Sequence, residues 1–203
     1  NTISVLADFG HKCGFIARVG DDEDGVLYEQ NYLSRGVYPV FLREPNTFTG
    51  QCLSFVTPDA QRTMRTYLGA SADLVGKDLK PEMFEGVDVF HMVSYSYMNK
   101  DLVHTALRLA KEAGAKVSFG LGCFEISKNF RDDILEMLDN YVDIVFGNED
   151  EAKALTGKDE QESCKIIGDL CEVSVVHIGK RGCWIRRDRG KEEHFAVTPV
   201  KPI

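Results

Sequence analysis

Two short polar segments of the sequence contain residue types that nucleotide chemistry uses. In the first, Gly147-Asn148-Glu149-Asp150-Glu151, Asn148 and Glu151 lie three residues apart, so in a first helical turn they share a face. An amide can bond a phosphate oxygen, and a neighbouring carboxylate can hold Mg²⁺, directly or through water. The same spacing fits a helix N-terminus, with Asn148 as the cap and Glu151 completing a capping-box pair. From spacing alone, the helix cap is the favoured interpretation.

The second segment is Gly179-Lys180-Arg181-Gly182. Its two glycines permit positive φ and a close approach of the backbone to a ligand, and exposed amides there can meet phosphate. The alternative is a plain turn into a strand around Trp184. Taken alone, the plain turn is the favoured interpretation.

Several other kinds of site lack support in the sequence. The acidic run at 20–25 lacks the 12-residue spacing of an EF-hand loop, and a helix start explains it better. Walker-type, G-x-G-x-x-G and G-x-S-x-G motifs do not occur. The six cysteines form no C-x-x-C pair and no zinc-ligand spacing with the histidines, which favours buried free thiols in a reducing compartment.

Charge and hydropathy restrict the class of partner. The net charge of −8 argues against a nucleic-acid partner, because a phosphate-backbone binder needs a basic face. A stretch of roughly 20 apolar residues, which a membrane span needs, does not occur. We therefore expect a cytoplasmic protein with no nucleic-acid or membrane partner.

The elements that must position the two segments alternate between strand and helix patterns. Strand-like runs lie at 87–93, 116–120, 142–146 and 173–178, with helical stripes at 103–110 and 130–141 between them. This alternation predicts βαβ units, a mostly parallel central sheet and helices on both faces. Ligands of such sheets bind beyond the carboxyl ends of the strands, and both polar segments directly follow a strand.

The first part of the chain has a different pattern. Residues 1–9 and 24–34 are helical in pattern, with a strand at 13–19 between them. Residues 37–68 hold several β runs separated by turn residues, which predicts a small β lid or, alternatively, edge strands of the main sheet. Residues 183–197 predict a hairpin. We expect one α/β domain over 1–203 to which 37–68 contributes the lid.

In this order, these features resemble the PfkB (ribokinase-like) family of carbohydrate and nucleoside kinases. Segments 1–10 and 15–25 are similar to the family's first signature, and 148–151 to its N-x-x-E motif. Thr49-Gly50, Arg62-Thr63-Met64 and Gly69-Ala70 are similar to the lid and its return segment, and 177–182 to the nucleotide loop. Each motif is weak singly, whereas five in the right order are specific.

The resemblance implies roles for particular residues. Asn1 would bond a hydroxyl of the sugar or ribose, Asn148 would contact the phosphates of ATP, and Glu151 would organise Mg²⁺. Gly179, Lys180 and Gly182 would line the nucleotide site. A monovalent cation is a further candidate cofactor. The substrate would be a nucleoside or a sugar, and the likeness of 52–65 to adenosine-kinase-like members favours nucleosides.

The resemblance also implies where catalysis takes place. Relatives phosphorylate a primary hydroxyl that an Asp deprotonates, within a Gly-Ala-Gly-Asp turn. That turn is absent from the sequence and is expected after Ile203, as two glycines are expected before Asn1. These 203 residues alone are therefore expected not to catalyse.

Two departures from the family pattern support a second hypothesis. His177 stands where the family usually has Thr, and the strand ending at Val93 lacks an acidic residue that many relatives have there. A catalytically inactive PfkB-like binding or assembly module is therefore the alternative function, and a generic α/β ligand-binding domain is a third. The β lid is also a candidate homodimer contact.

Overall fold

The computed structural model describes residues 2–198, so Asn1 and residues 199–203 lie outside it. Contacts between Cα atoms divide the chain into two units, Asn1–Asp78 and Leu79–Ile203. The first unit holds two small sheets, and the second holds a six-stranded sheet. The assignment of 1–203 to one domain stays a prediction.

The first unit begins with a βαβ arrangement. Its elements are α1 (Thr2–Asp8), β1 (Cys13–Gly20), α2 (Glu23–Ser34) and β2 (Val37–Glu44). β2 pairs in parallel with β1 along its whole length. Four aromatic rings join α2 to the two strands. Phe15 stacks on Tyr32 with ring centroids 4.9 Å apart, and Tyr28 stacks on Phe41 at 5.7 Å.

The predicted β region 37–68 divides into two parts. Residues 37–44 form β2 and belong with β1, since Val37 is buried there and α2 connects the two strands. β3 (Gln51–Val56) and β4 (Arg62–Tyr67) form a separate antiparallel hairpin, in which every residue is exposed. We call β3 and β4 the ribbon. The lid role of 37–68, and of the ribbon within it, stays a prediction.

The root of the ribbon is fixed to the turn between β1 and α2. Asp22 Oδ1 accepts a hydrogen bond from Thr49 Oγ1 at 2.6 Å, and Asp22 Oδ2 accepts one from the Thr49 amide at 2.7 Å. Thr49 Oγ1 in turn accepts from the Gly20 amide at 2.9 Å. On the return side, Gly69 has a φ of +53°, and a Cβ there would overlap the Phe48 carbonyl oxygen.

The second unit contains the site-bearing sheet. Its elements are β5 (Val89–Val93), α3 (Lys100–Glu112), β6 (Lys116–Gly120), α4 (Phe124–Asn129), α5 (Arg131–Tyr141), β7 (Ile144–Asn148), α6 (Glu149–Thr156), α7 (Glu160–Leu170), β8 (Val173–His177), β9 (Cys183–Arg187) and β10 (Glu193–Phe195). The strand order is β10-β9-β8-β7-β6-β5. β5 to β8 are parallel, whereas β9 and β10 are antiparallel. The predicted mostly parallel sheet and the hairpin at 183–197 are confirmed.

Helical patterning in this unit follows the predicted stripes. The side chains of α3 that face the core are Val103, Ala106, Leu107 and Ala110, all almost fully buried. Asn99 caps this helix by accepting from the Leu102 amide at 3.1 Å. Gly114, with a φ of +82°, follows its C-terminus as predicted.

One strand lies two residues later than predicted. The run 142–146 was expected to form it, but the Val142 amide donates to the Leu138 carbonyl at 3.2 Å and so ends α5. β7 therefore runs over Ile144–Asn148. The shift matters because it places Gly147 and Asn148 in the sheet rather than after it.

Two further predictions concern the whole chain. No helix within residues 2–198 is long and apolar enough to cross a membrane. All six cysteines are free thiols, as predicted, but only Cys164 and Cys171 are buried. The apolar runs around Cys13 and Cys183 suggested deeper burial, but the strands that carry these residues are only half-covered.

Candidate functional site

The structure brings the two polar segments together at one edge of the six-stranded sheet. β7 and β8 are parallel neighbours, and Asn148 lies opposite His177 in their register. The turn at 148–151, which we call the cap turn, follows β7, and residues 179–182, which we call the glycine loop, follow β8. Both therefore project from the carboxyl ends of adjacent strands, where ligands of such sheets bind.

The cap turn is a complete capping box. Asn148 Oδ1 accepts from the Glu151 amide, and Glu151 Oε2 accepts from the Asn148 amide, each at 2.9 Å. A third bond joins Asn148 Nδ2 to Glu151 Oε1, also at 2.9 Å. The capping interpretation of the spacing thus describes the local structure correctly. Both side chains can still bind a ligand, because each Glu151 oxygen keeps a lone pair and Asn148 Nδ2 keeps a second hydrogen.

Glu151 has an unusual environment for a carboxylate. Only 8% of the residue is exposed, and it makes no ion pair with any residue in the 2–198 range. A buried carboxylate is normally paired with a cation or accepts several hydrogen bonds. Glu151 accepts two, from the backbone amide and the side-chain amide of Asn148. The negative charge of Glu151 could therefore be compensated by a cation that prefers oxygen ligands, such as Mg²⁺ bound through water.

The glycine loop is a short 3-10 turn closed on itself. The Ile178 amide donates to the Gly182 carbonyl at 2.8 Å, and the Gly182 amide donates to the Gly179 carbonyl at 3.1 Å. Gly179 has a φ of +57° and Gly182 a φ of +104°, so both need the freedom of glycine. A Cβ on Gly182 would also overlap the carbonyl oxygen of Phe195. The predicted turn into the strand around Trp184 is present as well, because β9 starts at Cys183.

Three side chains of this segment are exposed, those of His177, Lys180 and Arg181. Within the described part of the chain, Lys180 makes no ion pair, which leaves its ammonium group available to an anionic ligand. Exposed backbone, glycine and a single lysine are the means by which loops of this kind hold phosphate.

The same edge extends to residues that the sequence motifs did not indicate. Tyr95 follows β5 and Cys123 follows β6. Partial desolvation, and then electrostatic interaction with Cys123 and with the Glu151 carboxylate, raise the pKa of the Tyr95 hydroxyl. Tyr95 therefore lies within electrostatic range of Glu151, although 55 residues of the chain lie between them. The position of Tyr95 and Cys123 directly after parallel strands is the signal that would have found them.

Glycine at position 147 lets the cap turn approach its neighbour closely. A Cβ there would lie 2.7 Å from Leu121 Cδ1, and the Leu121 amide donates to the Phe146 carbonyl at 2.8 Å. The strand ends of β6 and β7 are thereby held together just before the cap turn begins.

Two expected parts of the site lie outside the described residues. Asn1, the predicted contact to the substrate hydroxyl, is one of them. The segment 199–203, after which the catalytic Asp is expected, is the other. What the described residues supply is the combination of a buried carboxylate, an amide, a glycine loop and a free lysine, which suits a magnesium-bound polyphosphate.

Known proteins are similar to this chain along its whole length. The chain matches the family model described as "pfkB family carbohydrate kinase" over residues 1–203. It is 30% identical to fructokinase-1 of Oryza sativa subsp. japonica, covering 98% of the chain and 66% of that protein. It is 28% identical to the aminoimidazole riboside kinase of Salmonella typhimurium (strain LT2), covering 98% of the chain and 65% of that protein.

A solved structure supports the fold. The adenosine kinase from Sinorhizobium meliloti superposes with a TM-score of 0.90 at 25% sequence identity, over 100% of the chain and 63% of that protein. The chain thus spans about two thirds of the length of the relatives it matches. The match of the family model over the whole chain is sufficient to assign it: this chain belongs to the PfkB family of carbohydrate kinases, and it has the ribokinase-like α/β fold.

Proposed function

We propose that the protein transfers the γ-phosphoryl group of MgATP to a primary hydroxyl of a nucleoside or a sugar, and that the described residues hold the nucleotide. One observation carries the proposal. The cap turn and the glycine loop, each ambiguous by itself, lie side by side at the carboxyl ends of β7 and β8, with Asn148 opposite His177. Membership of the PfkB family supports the same reaction.

Each group then has a role that its environment fits. The second Nδ2 hydrogen of Asn148 would bond a phosphate oxygen, and Glu151 would hold Mg²⁺ through water. The amides of the glycine loop and the Lys180 ammonium would neutralise charge on the phosphates. Mg²⁺ would shield the transferring phosphoryl group, which needs positioning and charge stabilisation more than covalent chemistry.

The acceptor substrate is the finer part of the proposal. The relatives named above include a fructokinase, an aminoimidazole riboside kinase and an adenosine kinase, so both sugars and nucleosides are represented. We favour a nucleoside because residues 52–65 are similar to adenosine-kinase-like members. Asn1 would bond the acceptor, and the base would be an Asp after Ile203, so that these 203 residues alone would not catalyse.

We also propose that the ribbon acts as the lid and as the contact of a homodimer. A lone two-stranded hairpin is marginally stable, and this one exposes Leu53, Phe55 and Tyr67 on one face. Analytical ultracentrifugation of the full-length protein and of its Phe55→Ser variant tests this. A wild-type dimer that dissociates in the variant is expected, whereas a monomeric wild-type protein at all concentrations contradicts the proposal.

The experiment for the central reaction is phosphoryl transfer by the full-length protein. ATP, Mg²⁺ and a panel of nucleosides and sugars would be incubated with the protein, and ADP formation and phosphorylated product would be measured together. Product from one class of acceptor is expected. MgATP binding without turnover of any acceptor would favour the inactive binding module instead, for which His177 and the lack of an acidic residue at Val93 are the supporting observations.

A further inference from the structure

Arg181 lies within the glycine loop, and its guanidinium group is held by carboxylates from two different helices. Nη2 lies 2.5 Å from Glu149 Oε2, and Nη1 pairs with Glu160 Oε1. Glu149 is the first residue of α6, and Glu160 is the first residue of α7. One side chain therefore connects the loop after β8 to the N-termini of both helices.

The backbone of the same residue is fixed from the opposite side. The Arg181 carbonyl accepts a hydrogen bond from His194 Nε2 at 2.8 Å, and His194 lies on β10. The His194 ring in turn packs against Trp184 with ring centroids 5.1 Å apart. Arg181 is thus attached through its backbone to the β9–β10 hairpin and through its side chain to the helices.

The three charged side chains remain in contact with water. The exposed fractions are 58% for Arg181, 44% for Glu149 and 26% for Glu160. Hydrogen bonds to Glu160 and Glu149 raise the pKa of Arg181. The pKa of Glu160 is lowered, first by a hydrogen bond from the backbone amide of Glu160 and then by the one from Arg181. Exposed ion pairs contribute little to the free energy of unfolding. The main effect of these pairs is therefore on the position of the glycine loop.

The position of the loop matters because Glu149 directly follows Asn148. The pair Arg181–Glu149 spans the gap between the glycine loop and the cap turn, at the place where β7 and β8 end. A polyphosphate contacted by both segments requires their separation to be constant. Small displacements of positioning groups have large effects on binding and turnover.

We propose that Arg181 is a positioning residue, which sets the distance between the glycine loop and the cap turn through Glu149 and Glu160. The inference rests on the proposed nucleotide site and deepens it. Arg181 itself does not contact the phosphates. Its guanidinium stays on the two carboxylates while the loop amides and Lys180 bind the nucleotide.

The test uses variants of the full-length protein: the single variants Arg181→Ala, Glu149→Gln and Glu160→Gln, the Arg181→Ala/Glu149→Gln double variant and, as the matched control, Arg187→Ala. Arg187 is an exposed arginine on the adjacent β9 that makes no ion pair within residues 2–198. MgATP affinity would be measured by calorimetry, and KM for ATP, KM for the acceptor and kcat by kinetics. Thermal unfolding of each variant separates misfolding from mispositioning.

If Arg181 positions the glycine loop, removing either partner of the ion pair should raise KM for ATP. Arg181→Ala should raise KM for ATP by about threefold to tenfold. Glu149→Gln and Glu160→Gln should raise it as well, and the Arg181→Ala/Glu149→Gln double variant should be no worse than Arg181→Ala. KM for the acceptor, the unfolding temperature and the Arg187→Ala variant should stay close to wild type.

Two outcomes overturn the inference while leaving the proposed function intact. A lowered KM for ATP in Glu149→Gln or Glu160→Gln, with a raised one in Arg181→Ala, would mean that the carboxylates compete with phosphate for the arginine. Wild-type affinity for MgATP in all three variants would mean that the ion pairs do not determine the distance between the glycine loop and the cap turn. Failure of the wild-type protein to bind MgATP would instead overturn the proposed function, and this inference with it.

Discussion

At the scale of single residues, Glu151 combines two features whose effects a substitution can separate. Its carboxylate completes the capping box of α6, and its negative charge is buried without a cationic partner in the described range. Glutamine preserves a capping box but removes the charge. In Glu151→Gln we therefore expect a change in unfolding free energy within about 1 kcal/mol. The Mg²⁺-dependent kcat/KM for ATP should fall by about tenfold or more.

Chemical denaturation and kinetics at several Mg²⁺ concentrations check both parts of this prediction. Glu149→Gln is unsuitable as its control, because Glu149 is paired with Arg181. Asp150→Asn, in the same turn and exposed, is the better control and should leave both quantities unchanged. Equal Mg²⁺ dependence in Glu151→Gln and wild type would assign Glu151 to the helix cap alone.

Contacts between residues that lie close along the chain can be predicted from the sequence. The three-residue spacing of Asn148 and Glu151 predicted their capping bonds. The spacing could not indicate Tyr95 or the partners of Arg181, since those contacts join segments separated by other strands and helices.

At the scale of secondary-structure elements, the root of the ribbon depends on one carboxylate. Bonds from the Thr49 hydroxyl, the Thr49 amide and the Gly25 amide lower the pKa of Asp22 below its ordinary value of 3.8. A group with a lowered folded-state pKa stabilises the fold above its unfolded-state pKa, and this contribution is lost as pH falls through the lowered value. We therefore expect the root to loosen below about pH 4, where carboxylates of ordinary pKa take up protons.

Amide hydrogen exchange at Thr49, expressed as a protection factor to remove the intrinsic effect of pH, measures this loosening. The protection factor should be constant near neutral pH and decline in the acidic range. In Asp22→Asn it should be low at every pH and independent of titration. A wild-type protection factor that stays constant down to pH 2 contradicts the role of Asp22.

A second element-scale prediction concerns the β9–β10 hairpin, which supports the glycine loop. Arg186 is buried, donates to the Gly190 carbonyl at 2.8 Å and to the Lys165 carbonyl, and pairs with Asp169 at 2.7 Å. Replacing it with leucine removes these hydrogen bonds and the ion pair from a buried position. Arg186→Leu should lower the free energy of unfolding by about 2–4 kcal/mol.

Urea denaturation of Arg186→Leu and of the exposed Arg187→Leu checks this prediction. The neighbouring Arg187 points away from the buried acceptors, so its variant should lie within about 0.5 kcal/mol of wild type. Equal stability of the two variants would show that the acceptors of Arg186 are satisfied in another way.

At the scale of the whole chain, periodicity predicted the parallel sheet and the strands within 37–68, but not which strands of that region pair with each other. Short apolar runs alternating with helical stripes define βαβ units, so β5 to β8 followed from local patterns. Strand runs in 37–68 are similar to one another, and local pattern does not state which partner each one chooses. β2 joins β1 because α2 returns the chain beside it, whereas β3 and β4 pair through a tight turn.

The proposed function rests on the order of the motifs rather than on any one of them. Each site segment has an ordinary structural role, as a helix cap or a turn, and the structure shows both roles. What distinguishes them is that the register of β7 and β8 brings them to the same place. The proposed function therefore requires the nucleotide to bind at this place.

The most direct measurement of this claim is a titration of the isotopically labelled protein with MgATP, monitored through its backbone amide resonances. We expect the largest saturable shifts in 147–151 and 179–182, and a lower affinity for MgATP in Glu151→Gln. Saturable binding of MgATP with the largest shifts in other segments, and none in these two, would contradict this expectation.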